Sequence, residues 1–176
     1  GGLELGRINV AARGVGLAEG SLRLSTEYAQ LRQTMGKPIS EHQAIQLKIG
    51  EMVTRARAAG LLTFDAAETY DRGERCDMEA GMAKYLASEY CKEVVEDSFR
   101  IHGGYGYSKE YEIERLYREA AFMLIGEGTS DIQKMIIGRR LTEDYKARRP
   151  EARAGAAWAL CTTPGPRCAW RGARSG

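Results

Sequence analysis

Apolar residues recur at helical spacing through most of the chain. In "HQAIQLKIGEMVTRARAAGLL", Ile45, Ile49, Met52, Ala56 and Ala59 return every three or four positions, and Lys48, Glu51, Arg55 and Arg57 fall mostly between them. That is the stripe of an amphipathic helix, not the two-residue alternation of a strand. The pattern predicts a helix over roughly 40–71, with Ser40 as its N-cap and Arg72-Gly73 as its end. Gly36-Lys37-Pro38 separates it from an earlier helix over roughly 3–34. A third helix, roughly 77–101 with Asp77 as cap candidate, runs into "HGGYGYS". A shorter one covers roughly 110–124, "GEGTS" interrupts, and a last helix over roughly 130–146 closes with a basic turn that suits its dipole. Long helices with short links predict an all-α fold, an up-and-down helical bundle.

The periodicity stops at Arg148. Residues 148–176 hold three of the four prolines and both tryptophans, without a repeat. They read as a disordered tail, or as a GC-rich coding sequence translated out of frame. The expected organisation is therefore one helical domain over 1–147 and a tail over 148–176. The tail also distorts the charge. Its six arginines and single acid give +5, so the formal net charge of +2 leaves −3 for residues 1–147. A basic nucleic-acid surface is not a property of the helical part. No run approaches the roughly 20 apolar residues of a membrane span. The first residues lack the basic and apolar segments of a signal peptide, and begin within helical sequence, as a piece of a longer chain would. Cys76, Cys91, Cys161 and Cys168 form no C-x-x-C pair, so neither a disulfide frame nor a zinc site is expected, and no metal site is assigned.

Two glycine-rich turns carry candidate chemistry. "HGGYGYS", residues 102–108, follows a helix, whereas a dinucleotide-binding glycine loop follows a strand. By itself it reads as a helix C-cap with aromatic packing, and His102 as a packed or capping histidine. "IGEGTSDIQK" places Glu127 between Gly126 and Gly128 just before the last helix. One reading is a linking turn capped by Thr129 or Ser130. The other is functional: bare backbone lets a ligand come close, a carboxylate there can act as a general base, and the amides opening the helix can bind a ligand oxygen.

The order of the pieces decides between them. "GRINVAARGVGLAEGSLRLSTEYAQLRQTMGKPISEHQAIQLKIGEM", then "MAKYLASEYCKEVVEDSFRIHGGYGYSKEYEIERLYREA", then "IGEGTSDIQKMIIGRRL" resembles the C-terminal domain of the acyl-CoA dehydrogenases, from about residue 3 to 147. The resemblance implies an FAD enzyme with further N-terminal helical and middle β-domains. FAD would lie between the middle and C-terminal domains, with part of its site supplied by a neighbouring subunit. The α-proton of an acyl-CoA thioester would leave to a base and the β-hydride to flavin N5, giving a trans-2-enoyl-CoA. Electrons would pass to electron transfer flavoprotein.

Glu127 matches the catalytic glutamate of the family's Y-E-G-T motif, and Gly128 would lie against the thioester. Some members carry the base instead just before the arginine of a "GR" pattern, a place occupied here by Gly6. Arg32, with Thr34 and Met35 beside it, matches R-x-x-F-G, which reaches the FAD pyrophosphate. Gln43 matches a flavin-contacting glutamine. Arg100, Ile101, His102, Gly103 and Gly104 match Q-I-x-G-G, which holds the ADP part of FAD across a dimer interface. Thr129, Ser130 and Asp131 match FAD contacts just after the base. Met35 stands for the usual aromatic, Arg100 for the usual glutamine and Gly126 for the usual tyrosine; the last is expected to leave room for a branched or bulky acyl group. A homodimer or homotetramer in the bacterial cytoplasm is expected, with the mitochondrial matrix as the other compartment. The rival readings are an acyl-CoA oxidase and a non-catalytic helical oligomerisation module.

Overall fold

The computed structural model describes residues 2–147, and the expected tail lies outside the described residues. Five α-helices are present among the described residues: α1 (Gly2–Leu31), α2 (Gln43–Asp71), α3 (Asp77–His102), α4 (Ile113–Met123) and α5 (Ser130–Ala147). The periodic stripes thus became helices, arranged as the expected bundle. α3 is the shared element and packs against α1, α2, α4 and α5. Its buried face is rich in small residues, among them Ala80, Ala83, Ala87 and Ser88, which bring neighbouring backbones close. Larger side chains fill the gaps between helix pairs: Met52 and Val94 between α2 and α3, Val95, Ile113 and Met123 between α3 and α4.

Polar groups also tie α3 in. Ser25 Oγ donates to Ser98 Oγ at 2.6 Å and Ser98 Oγ donates to the Ser21 carbonyl at 3.1 Å, a buried thread from α1 to α3. On the α2 side, Arg55 pairs with Glu93 at 2.7 Å and with Asp97 at 3.5 Å, and Lys48 pairs with Asp97 at 2.5 Å. Lys48 and Arg55 are among the charged residues that fell outside the apolar stripe of α2 in the sequence.

Three local expectations are corrected. The first helix stops at Leu31, and residues 33–38 form a two-stranded hairpin, β1 (Gln33–Thr34) and β2 (Lys37–Pro38), with Gln33 opposite Pro38. Met35 (φ 52°) and Gly36 (φ 77°) make its two-residue turn. Positive φ at both centres is what a tight hairpin turn of native twist requires. Ser40 does not cap α2. It lies inside a 3₁₀ turn, Ile39–Glu41, and the extended His42 precedes the helix without a side-chain cap. Asp77 does not cap α3 either. It is the first helical residue, after Cys76, and its carboxylate accepts two hydrogen bonds from Arg75, each 2.9 Å long. Gly73 (φ 71°) ends α2 as expected.

Met52 is fully buried between α2 and α3. Met52→Ala in the full-length protein is expected to lower unfolding free energy by about 2–5 kcal/mol through lost transfer and a residual cavity. Chemical denaturation measures it; a loss below about 1 kcal/mol would mean that this seam is loosely packed.

Candidate active site

Glu127 sits in the short link between α4 and α5. The Gly126 N–H donates to the Phe122 carbonyl at 2.9 Å, closing the end of α4, and the chain then turns left-handed at Glu127 (φ 55°) and Gly128 (φ 95°). A glutamate at positive φ is disfavoured by about 1–2 kcal/mol, so the surrounding contacts must hold it there. Gly128 is needed twice over: its φ suits glycine, and a Cβ would stand 2.8 Å from Gln133 Nε2. α5 then begins, with the Gln133 N–H donating to the Thr129 carbonyl at 3.1 Å. Thr129 Oγ1 also accepts from the Ile132 N–H, at a long 3.4 Å, so its side chain is a weak cap.

The Glu127 side chain is exposed and reaches over α1. An ideal Cβ on Gly6 would lie 2.9 Å from Glu127 Oε2. The carboxylate therefore occupies the space that a side chain at position 6 would need. No other described residue pairs with it or donates to it. Of its neighbours, Ser130 Oγ donates to Glu89 of α3 at 2.5 Å, and Asp131 is open to solvent with Lys134 at 3.4 Å.

Gly126 offers less space than expected. A Cβ there would meet the Phe122 ring at 2.9 Å, so that ring has folded over the bare backbone. The ring is about half exposed (48 %), with the Arg13 guanidinium 5.5 Å from its centre. An aromatic face remains in this neighbourhood, supplied from the preceding turn of α4.

The second set of candidates meets elsewhere. Arg32, Thr34, Ile101, His102, Gly103 and Gly104 line one open cleft of about 550 Å³, together with Tyr28, Ile39, Ile45 and Tyr105. α3 ends here because Gly103 (φ 59°) breaks it, as the C-cap reading of the glycines expected. Neither Gly103 nor Gly104 has any atom within 4 Å of a would-be Cβ, so the backbone is open to a ligand. The Arg32 guanidinium stands 5.9 Å from the Tyr105 ring, and Thr34 Oγ1 lies 3.0 Å from His42 Nε2.

His102 is buried and stacks on Tyr28, ring centres 4.4 Å apart. Its Nδ1 donates to the Ser98 carbonyl at 2.8 Å, which leaves Nε2 as an acceptor. Burial holds its pKa below the usual 6.5, and the Ser98 hydrogen bond opposes this only in part. This is a packed, neutral histidine, as its sequence context suggested.

Three candidates lie apart from both the cleft and the Glu127 turn. Met35 is 95 % exposed at the hairpin tip. Gln43 is exposed in the first turn of α2. Arg100 is exposed and pairs with Glu96 at 2.8 Å along its own helix. Sequence reasoning missed Tyr28 and Tyr105, which read as generic helix and turn aromatics. It also missed Gln133, Lys84 and Glu89, which hold the Glu127 turn. The cleft lies beside Tyr28 and the carboxylate beside Gly6, toward opposite ends of α1 and about 33 Å apart by helical rise. One chain brings most of the candidates together in two groups, not one.

The helical domain thus carries a carboxylate on a glycine turn and, separately, an open cleft lined by Arg32, Glu110 and glycine backbone. The chain belongs to the acyl-CoA dehydrogenase C-terminal domain family, whose family model matches residues 1–142. It is 47 % identical over 139 residues to a 3-(aryl)acrylate reductase of Clostridium sporogenes, covering 79 % of this chain and 37 % of that protein. It is 44 % identical, with the same coverage, to an acyl-CoA dehydrogenase of Bacillus subtilis and to subunit CarC of the caffeyl-CoA reductase-Etf complex of Acetobacterium woodii. The butyryl-CoA dehydrogenase structure from Megasphaera elsdenii superposes with a TM-score of 0.78 at 38 % identity, over 80 % of this chain and 37 % of that one. PigA, solved with FAD and proline, superposes with a TM-score of 0.77 at 30 % identity, over 80 % of this chain and 37 % of that one. The chain thus spans little more than a third of the length of these relatives.

The depressed pKa of His102 gives a pH test. Below about pH 6.5 the unfolded chain takes up a proton that the folded one resists, so stability from neutral His102 is complete above that pH and is lost as pH falls through the lower folded value. The full-length protein should lose melting temperature more steeply below pH 6.5 than its His102→Gln variant, read by thermal scans across pH. Parallel profiles would mean that His102 is not held neutral.

Proposed function

We propose that this chain is the C-terminal part of an FAD-dependent acyl-CoA dehydrogenase in which Glu127 takes the α-proton of an acyl-CoA thioester. The observation that carries this is the carboxylate itself, exposed, without a partner among the described residues and standing over Gly6. The family resemblance offers two places for the base; one holds a glycine, and the other reaches into the space that glycine leaves. A carboxylate with no competing donor keeps its lone pairs for a substrate proton. Gly128, next to it, would lie against the thioester, as the family resemblance implies.

The cleft fits the ADP part of FAD. Arg32 brings a positive charge for the pyrophosphate, Thr34 a hydroxyl, and Gly103 and Gly104 bare backbone for close approach. FAD, when bound, supplies the acceptor for the β-hydride. The chain's own residues bind and orient it, and Glu127 handles the proton. Cleft and carboxylate lie toward opposite ends of α1, about 33 Å apart by helical rise, which supports the reading that each complete site draws its cleft from a second copy. That supports a homodimer or a homotetramer built from dimers.

Of the similar proteins above, two are named as reductases and two as dehydrogenases. The same group would serve both directions: a protonated Glu127 would return a proton to the α-carbon of an enoyl thioester, with reduced FAD, when bound, supplying the β-hydride. The name of the CarC subunit places that relative in a complex with electron transfer flavoprotein, which supports the same kind of electron partner here. An oxidase would instead return electrons to oxygen, and oxygen uptake without an added acceptor separates the two. No described helix is long and apolar enough to cross a membrane. Because the chain spans 37 % of its relatives' length, turnover is assigned to the full-length protein that carries this domain.

In that protein, Glu127→Gln should abolish bleaching of the flavin by acyl-CoA under anaerobic conditions while FAD occupancy stays at the wild-type level. Bleaching at the wild-type rate would overturn the assignment.

A further inference from the structure

The turn that carries Glu127 is gripped from below by buried side chains that the proposed chemistry does not use. Gln133, on the first turn of α5, is fully buried. Its Nε2 donates to the Glu127 carbonyl at 2.9 Å and to the Gly128 carbonyl at 3.3 Å. These two carbonyls belong to the two residues with positive φ in the turn. Its Oε1 is buried without a hydrogen-bond partner among the described residues. Flipping the amide would set that oxygen against two carbonyl oxygens, so the two donor bonds fix its orientation. The contact is close enough that any side chain at 128 would collide with it at 2.8 Å.

α3 holds the two ends of the same turn. Lys84, fully buried, donates from Nζ to the Leu124 carbonyl at 3.3 Å, and Glu89 accepts from Ser130 Oγ at 2.5 Å. The ends are thereby anchored on the central helix, and Gln133 acts on the middle. Released from Gln133, the backbone at Glu127 would relax toward negative φ, and that rotation swings the Cα–Cβ bond away from Gly6.

We propose that Gln133 is a positioning residue: its buried carboxamide holds the left-handed backbone of Glu127 and Gly128 and so aims the Glu127 carboxylate over Gly6. This rests on Glu127 being the base. Gln133 touches neither substrate nor flavin in this account; it acts through the backbone of the residue that does.

The test uses the full-length holoenzyme with Gln133→Met, which keeps the length and removes the donor, and Gln133→Asn, which keeps the amide and withdraws it by one methylene. FAD occupancy and far-ultraviolet circular dichroism identify which variants fold. In a folded variant the anaerobic rate of flavin bleaching is expected to fall at least about tenfold, with the KM for acyl-CoA within about twofold of wild type. The primary deuterium isotope effect at the α-carbon should rise, because proton removal becomes more nearly rate-limiting. A merely structural role would lower FAD occupancy or shift KM without raising that isotope effect. Bleaching and isotope effect at wild-type values in either folded variant would overturn the proposal. Glu127→Gln run alongside separates the two ideas: if it is inactive while the folded Gln133 variants are normal, only the positioning role fails; if it bleaches normally, the base assignment fails as well.

Discussion

The small-residue face of α3 is the constraint on which the rest of the molecule depends. Alanines and serines at its contacts let four other helices pack against one. Close packing of these small residues, with Met52, Val94, Val95 and Met123 filling the seams, leaves little freedom for the neighbours. The site residues inherit that rigidity. The end of α3 supplies Ile101 and His102 to the cleft, and its first half supplies Lys84 and Glu89 to the turn that carries Glu127. Two regions toward opposite ends of α1 are thus set by one buried rod.

Much of this architecture was legible in the sequence because helical burial writes a period. The stripe of Ile45, Ile49, Met52, Ala56 and Ala59 became the inner face of α2, with the first two at its edge. The hairpin at 33–38 was not legible, since two-residue strands have no period to show, and its turn puts a methionine at positive φ, where a glycine or asparagine would have signalled it. Ser40 and Asp77 had the chemistry of caps but were used otherwise. Pro38 set a 3₁₀ turn around Ser40, and Arg75 took both oxygens of Asp77.

The candidate site was legible in a different way. Glu127 and the residues of the cleft came from matched motifs, and the structure gathers six of them around one cavity. What the motifs did not carry was the support. Gln133 reads as an ordinary helical surface residue until the left-handed turn six positions earlier brings two carbonyls onto its amide. Lys84 and Glu89 read as surface charges on a polar helix, yet Lys84 is fully buried. The Phe122 ring over Gly126 could not be foreseen, because what a missing side chain leaves behind depends on which neighbour moves in.

The central claim is that this domain contributes a base and half of a shared cofactor site, the base being aimed by backbone that α3 and α5 hold in place. A crystal structure of the full-length enzyme with an acyl-CoA analogue bound tests it most directly. The account predicts a Glu127 carboxylate oxygen within about 3–3.5 Å of the thioester α-carbon, with Glu127 at positive φ and the cleft of a second copy against the same FAD. A Glu127 carboxylate turned to solvent, with another group beside the α-carbon, would contradict it.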